Sequence, residues 1–282
     1  MDREIRLNAF VMNTVGHMSP GLWTHPRDRS ADYRHLAYWT GLAQLLERGR
    51  FDGMFLADVL GVYDVFAGTP DAALRHATQV PVNDPLLLVP AMAQATSHLG
   101  FGVTCNLSYE PPYPFARRMS TLDHLTQGRI GWNVVTGYLD SAARAMGLDR
   151  QTAHDDRYDV AEEYMDVVYK LWEGSWEDDA VVRDRAGGVF TRPEKVHRVR
   201  HDGPTWRLDA IHLCEPSPQR TRCSTRPAAR PRAGHSRRAM PSACSCPARR
   251  RPWPASASPR SGASPPRPGG TRAPSRCSAS RP

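Results

Sequence analysis

The chain has 282 residues, with 37 Lys+Arg against 29 Asp+Glu and a formal charge of +8. Residues 222–282 hold 14 Arg, 12 of the 25 Pro and 4 of the 6 Cys, with no Lys, Asp, Glu, Val, Ile, Leu, Phe or Tyr; residues 1–221 therefore carry 23 bases against 29 acids. A stretch without those apolar residues cannot bury enough surface to offset its ordering entropy, so the +8 does not describe a basic nucleic-acid-binding globule.

In chain order, residues 6–12 (RLNAFVM) alternate polar and apolar and run into a Gly/Pro-rich loop, which predicts strand then loop. Residues 33–48 place Leu36, Trp39, Leu42, Leu45 and Leu46 at helical spacing. A short buried strand is predicted over 51–57, ending at Asp58, then a helix over 85–97 and a strand over 100–106. A helix over 114–125, a strand over 130–135 and a long amphipathic helix over 155–172 follow, the last with acids early and Lys170 late, as the helix dipole favours. This β-α-β-α order predicts a parallel sheet with crossover helices, about four β-α units and so half of an eight-fold barrel. From residue 174 to 221 short runs with Gly and Pro predict a β-rich insertion, with strands around 181–183, 188–191 and 206–209.

The start, MDREIRLNAFVMN, has no apolar h-region, and the longest apolar stretch, around residues 85–93, is far short of the ~20 residues of a membrane helix. Cys105 and Cys214 are too few for a disulfide framework. A reduced, cytoplasmic enzyme without a membrane partner is expected.

In α/β barrels the reacting groups follow the strands' C-terminal ends. The polar residues there are His17, Asp58, Thr104, Asn106, Asn133 and Thr136, and His154 and Tyr158 share one face at a helix start, with Arg157 beside them. Each also has a plainer reading: Asp58 as an N-cap, Thr104 as a packed β-branched residue, His17 and His154 as solvent-facing. Together they outline a polar mouth, with no zinc spacing, no P-loop and no dinucleotide fingerprint, hence no predicted metal.

The segments NAFVMNTVGHMSPGLW, RFDGMFLADVLGVYD, NDPLLLVPAMAQAT, GFGVTCNLSYEPPYPFARRMSTLDHLTQGRIGWNVVTG and HDDRYDVAEEYMDVVYKLW resemble the FMN-dependent, bacterial-luciferase-like monooxygenases, in the branch that oxidises nitrilotriacetate, EDTA, dibenzothiophene sulfone and long-chain alkanes. The resemblance runs from about residue 5 to residue 221 and implies a TIM-type (β/α)8 barrel, of which this chain holds the first half. It implies reduced FMN (FMNH2) supplied by a separate NAD(P)H-dependent flavin reductase, and O2 that forms a flavin peroxide and oxidises a small organic substrate. The protein's share is positioning and water exclusion. By the same resemblance Asp58, Thr104, Asn133, His154 and Tyr158 would bind the cofactor, and His17, Tyr63, Asn133 and Tyr138 would serve catalysis. Gln79 and Arg157 would line the substrate pocket, and intact relatives commonly pair as homo-oligomers.

After SPQRT the family continues with an apolar strand and a Gly-Ser turn, roughly PVLYQAGSS, where this chain reads RCSTRPAARP. Reading the codons for residues 222–228 one nucleotide earlier allows PVLYQAG at every position, and out-of-frame GC-rich DNA yields the composition of the tail. The expected organisation is therefore a barrel half over 1–221 and a disordered, Arg/Pro/Ser/Ala-rich, out-of-frame tail over 222–282, with strands five to eight missing and activity impaired. Two alternatives remain: a luciferase-like oxidoreductase that uses deazaflavin F420, and a non-catalytic fragment whose basic tail binds polyanions without nucleic-acid specificity.

Overall fold

The alternating runs fold into a parallel sheet backed by helices in the computed structural model, which describes residues 5–225. These residues lie within one compact unit, Met1–Ala248. The expectations for residues 226–282 fall outside the described residues.

β1 (Asn8–Met12) leads through its Gly/Pro loop to α1 (Leu36–Arg48). The helix was expected from residue 33; instead Ser30–Arg34 form a separate 3-10 turn and His35 is extended. Trp39 Nε1 donates to the Tyr33 carbonyl at 2.7 Å and occupies the acceptor that an α-helical turn would need there. β2 (Gly53–Ala57) is followed by a long loop that carries α2 (Asp71–His76), too short for its period to show in the sequence.

The segment 85–97 also differs from expectation. Pro85–Leu88 is a 3-10 turn and only α3 (Val89–Gln94) is α-helical. Pro90 has no N–H to give the Leu86 carbonyl, so the first turn tightens. At the other end the Glu47 carboxylate accepts from the backbone N–H of Ser97, His98 and Leu99 at 2.9, 2.5 and 3.1 Å, drawing the chain out of the helix. β3 (Gly100–Asn106), α4 (Pro112–Thr126), β4 (Ile130–Val135), the unforeseen α5 (Asp140–Ala145) and α6 (His154–Gly174) complete the β-α run.

Parallel register gives the sheet two faces. Leu56, Val103 and Trp132 form one row across β2, β3 and β4. All three are buried, and Trp132 packs on Phe115, Tyr164 and Trp172 at ring-centroid distances of 4.5, 6.2 and 6.4 Å. The alternate residues Phe10, Phe55, Gly102 and Gly131 form a row on the opposite, concave face.

The insertion holds two antiparallel pairs, β5 (Val181–Asp184) with β6 (Val189–Thr191), and β7 (Val199–Asp202) with β8 (Arg207–Ala210). β7 was missed because Val199 is its one apolar residue. The β7–β8 hairpin is tied to α6 by Glu163, which accepts from the Thr205 and Trp206 backbone N–H at 3.0 and 2.9 Å and lies 3.1 Å from His201 Nε2.

Strand five was expected to be missing. The sheet instead has five strands, because β9 (Cys223–Thr225) pairs parallel with β4 through Gly131↔Cys223, Trp132↔Ser224 and Asn133↔Thr225. The open edge of β4 presents backbone donors and acceptors that any extended peptide satisfies. Gln219 holds the approach, donating from its backbone N–H and Nε2 to Asp123 at 2.8 and 2.6 Å and from Nε2 to the Ile130 carbonyl at 2.8 Å. Arg222 is drawn into the core, 3% exposed, with its guanidinium 4.5 Å from the Trp172 ring centroid and 3.8 Å from Asp123. Burial lowers its pKa to about 10.

Candidate functional site

The C-terminal ends of β2, β3 and β4 meet the first turns of α6 around a cavity of about 310 Å³. Its walls are mostly apolar, from Val59, Leu60, Val134 and Val135, and its polar groups are Asp58, Asn106, Thr136, Tyr138 and Tyr158. That size and lining suit a small organic ligand or cofactor. Gly137 lies on the wall with φ +69, and a Cβ there would run into the Asn106 carboxamide, so the close approach of the two loops requires glycine.

Asp58 is the electrostatic feature of the cavity. Burial, then the charge of Asp84, push its carboxyl up to about 6, against a hydrogen bond from the Val59 N–H that lowers it. Asp84 itself caps the 3-10 turn by accepting from Leu86 N at 2.8 Å. A carboxyl whose folded pKa lies above its unfolded value stabilises the fold while protonated; that contribution is complete below about 3.8 and is lost as pH rises through 6. Asp58→Asn is therefore expected to raise the melting temperature by a few degrees at pH 7.5 and hardly at all at pH 4. Thermal unfolding at both values checks this, and equal shifts would show that the carboxylate is not strained by its surroundings.

The other predicted residues fall into three groups. Tyr63, Gln79, Tyr138 and His17 are brought together. Tyr63 donates to Gln79 Oε1 at 3.2 Å, its hydroxyl meets that of Tyr138, and Gln79 Nε2 reaches the His17 carbonyl at 3.5 Å. Gln79 does this from a left-handed backbone, φ +52. Burial and the Tyr63 contact raise the Tyr138 pKa, and burial lowers that of His17. Thr104 and Asn133 form a second pair on adjacent strands, with Asn133 Nδ2 donating to Thr104 Oγ1 at 3.0 Å.

The third group sits at the start of α6. Tyr158 lines the cavity, with the His154 ring 4.9 Å away from its own. His154 faces solvent, its Nδ1 3.1 Å from Asp155, and Arg157 is half-buried with its Nε atom buried and unpartnered. Asn106 and Thr136 both line the cavity, as strand-end position suggests. Sequence reasoning missed Gly137 and the influence of Asp84. The Thr-Gly directly after a buried strand was the available signal for the first; nothing in the sequence linked Asp84 to Asp58. Among the described residues no group of three or more His, Cys, Asp or Glu could hold a metal ion.

The luciferase-like monooxygenase family model matches residues 14–234. The chain belongs to this family. Within it, the dimethyl-sulfide monooxygenase of Hyphomicrobium sulfonivorans is 58% identical over 221 residues, which are 78% of this chain and 46% of that protein. The crystal structure of long-chain alkane monooxygenase superposes with a TM-score of 0.79 at 55% identity, covering 81% of this chain and 52% of that one. A riboflavin lyase crystallised with modified FMN and riboflavin gives 0.75 at 40% identity, covering 79% and 50%. The luciferase-like chain described here thus spans about half the length of the curated relatives it matches.

Proposed function

We propose that this chain is the first half of a two-component monooxygenase that uses reduced FMN from a separate NAD(P)H-dependent reductase and O2 to oxidise a small organic molecule. The observation that carries the reading is the cavity at the strand ends in a luciferase-like chain, walled by apolar residues and edged by Asp58, Asn106 and Tyr158. Dimethyl sulfide and long-chain alkanes, the compounds in two relatives' names, support an apolar, oxidisable substrate.

The residues fit such a cofactor. Apolar walls suit the faces of a flat ring system, and Asp58, with its pKa near 6, can hold or release a proton at the cavity edge at neutral pH. Asn133 and Thr104 offer a hydrogen-bonding pair on the concave face, and Tyr158 and Arg157 stand at the helix start, where an anionic group is favoured. Flavin, when bound, supplies the oxygen chemistry. The chain's own residues orient it, exclude water on one side and position the Tyr63–Gln79–Tyr138 string at the rim.

On this reading the tail from residue 222 is read out of frame, and the barrel's remaining walls are not in this chain. The 282-residue product is therefore expected to bind FMN weakly, with no saturable fluorescence quenching below about 100 μM. A flavin titration of the purified chain checks this, and tight binding would show that the half barrel is sufficient.

A further inference from the structure

Two wall segments of the cavity come together at its mouth. Val59 and Leu60 follow β2 on one side, and Gly137 and Tyr138 follow β4 on the other. Just beyond them, successive residues tie the loop after β2 to α5. Ser141 Oγ accepts from the Val62 N–H at 3.0 Å and donates to the Val62 carbonyl at 2.7 Å. The Tyr63 hydroxyl meets that of Tyr138, and the Arg144 guanidinium donates to Asp64 at 2.5 Å. Gly61, at φ +98, lies so close to the helix that a Cβ would stand 2.7 Å from both Ser141 Oγ and Ala142 N. Glycine is what lets the loop reach α5 there. The two sides are held differently. Ala142 and Ala143 are buried and fix α5, whereas the loop turns apolar side chains outward, Val65 being 83% and Phe66 75% exposed. Its ties to α5 are polar, and Gly68, at φ +68 with open space around it, lets the chain turn at the loop's far end.

We propose that this loop is a gate through which an apolar substrate enters the cavity, with α5 as its fixed post and Ser141 as the positioning residue that holds it shut. Ser141 outweighs Arg144 in that role. Its two hydrogen bonds are part-buried, whereas the Arg144–Asp64 pair is half exposed on the arginine side and is screened by water. Releasing Val62 frees Val59 and Leu60 to move away from Tyr138, which opens the wall where it is apolar. Val65 and Phe66, exposed on the same loop, give an apolar compound its first contact outside. Closure restores the Tyr63–Tyr138 contact, so admission of substrate and the order of the rim are coupled.

The inference rests on reading the cavity as the substrate site, and its test uses no flavin, so a failure here is distinct from a failure to bind FMN. Val59→Cys is introduced into the full chain to place a thiol in the cavity wall. Labelling of that position by N-ethylmaleimide is timed by peptide mass, and amide exchange is followed over residues 61–64. The native, partly exposed Cys214, beside Thr121 on α4, is the internal reference. Adding Ser141→Ala is expected to raise both rates about tenfold while the labelling of Cys214 stays unchanged. Ser141→Thr keeps the hydroxyl and should label at the parent's rate. Gly61→Ala pushes the loop off the helix by a different means and should speed labelling as well. If exchange rises and labelling does not, the loop moves without opening the cavity, and the gate is overturned. Labelling that is already fast with Ser141 in place reveals another entrance and overturns it too. So does a rise at Cys214 in the same proportion, which would mean a general loosening of the fold.

Discussion

Replacing Asp123 by alanine is expected to destabilise the chain by about 3–5 kcal/mol, because it leaves a buried guanidinium without a countercharge. Asp123 is fully buried and does two things at once. It anchors Gln219, which brings the chain to the sheet edge, and it is the carboxylate 3.8 Å from Arg222. Arg222 has little else of the right charge. It stacks on Trp172 and donates to Ser217 Oγ at 2.6 Å, and its Nε finds no partner. Its charge also reaches His212, which burial first and Arg222 second lower to about 4. Arg222→Leu keeps the apolar contact with Trp172 but leaves the fully buried Asp123 without its guanidinium, so alone it should also destabilise, whereas in the Asp123→Ala background it removes the unpaired charge and should recover part of the loss. Thermal unfolding of the two single variants and the double variant reads this as a fall of roughly 10 °C and a partial return. A change of less than about 2 °C for Asp123→Ala would mean that Arg222 reaches solvent.

The second large effect is expected at Trp132. Its indole is 1% exposed, donates to the Cys105 carbonyl at 3.0 Å, and is surrounded by the rings of Phe115, Tyr164 and Trp172. Trp132→Ala removes a whole indole from between β4 and α6 and is expected to lower stability by about 3–5 kcal/mol. The loss should be felt in the cavity too, since Asn133, Val134 and Val135 follow on the same strand. Chemical denaturation and near-UV circular dichroism check both parts. Unchanged stability would place the sheet's anchor elsewhere.

What could be read from the sequence follows from burial. β3 and β4 match their expected limits because one face of each is packed under the helices, and the alternating buried residues of GFGVTCN and IGWNVV show it. α6 was legible through its length and period. The failures are local. Pro90 and the Trp39–Tyr33 bond broke two helices that periodicity alone would have extended. β7 was hidden by charged residues whose partners, such as Asp209 for Arg200, lie on the neighbouring strand.

The site divides in the same way. Strand-end position was enough to nominate Asp58, Thr104 and Asn133. It could not show that Asp84, 26 residues further on, would share the electrostatics of Asp58. Nor could it show that Tyr63 and Tyr138, 75 residues apart, would meet. Both depend on how the long loop after β2 folds back over the sheet, where Thr14 bridges Val82 and Asn83 N bonds the Asn13 carbonyl.

β9 bears on how little an open edge demands of its neighbour. Its three residues, Cys-Ser-Thr, include no large apolar side chain, and they still take up the sheet's register. Side chains can change one at a time, but the amide and carbonyl that every peptide carries remain available to an open edge. At this edge, outline therefore asks less of the sequence than chemistry does, and the family match, which reaches residue 234, covers the strand.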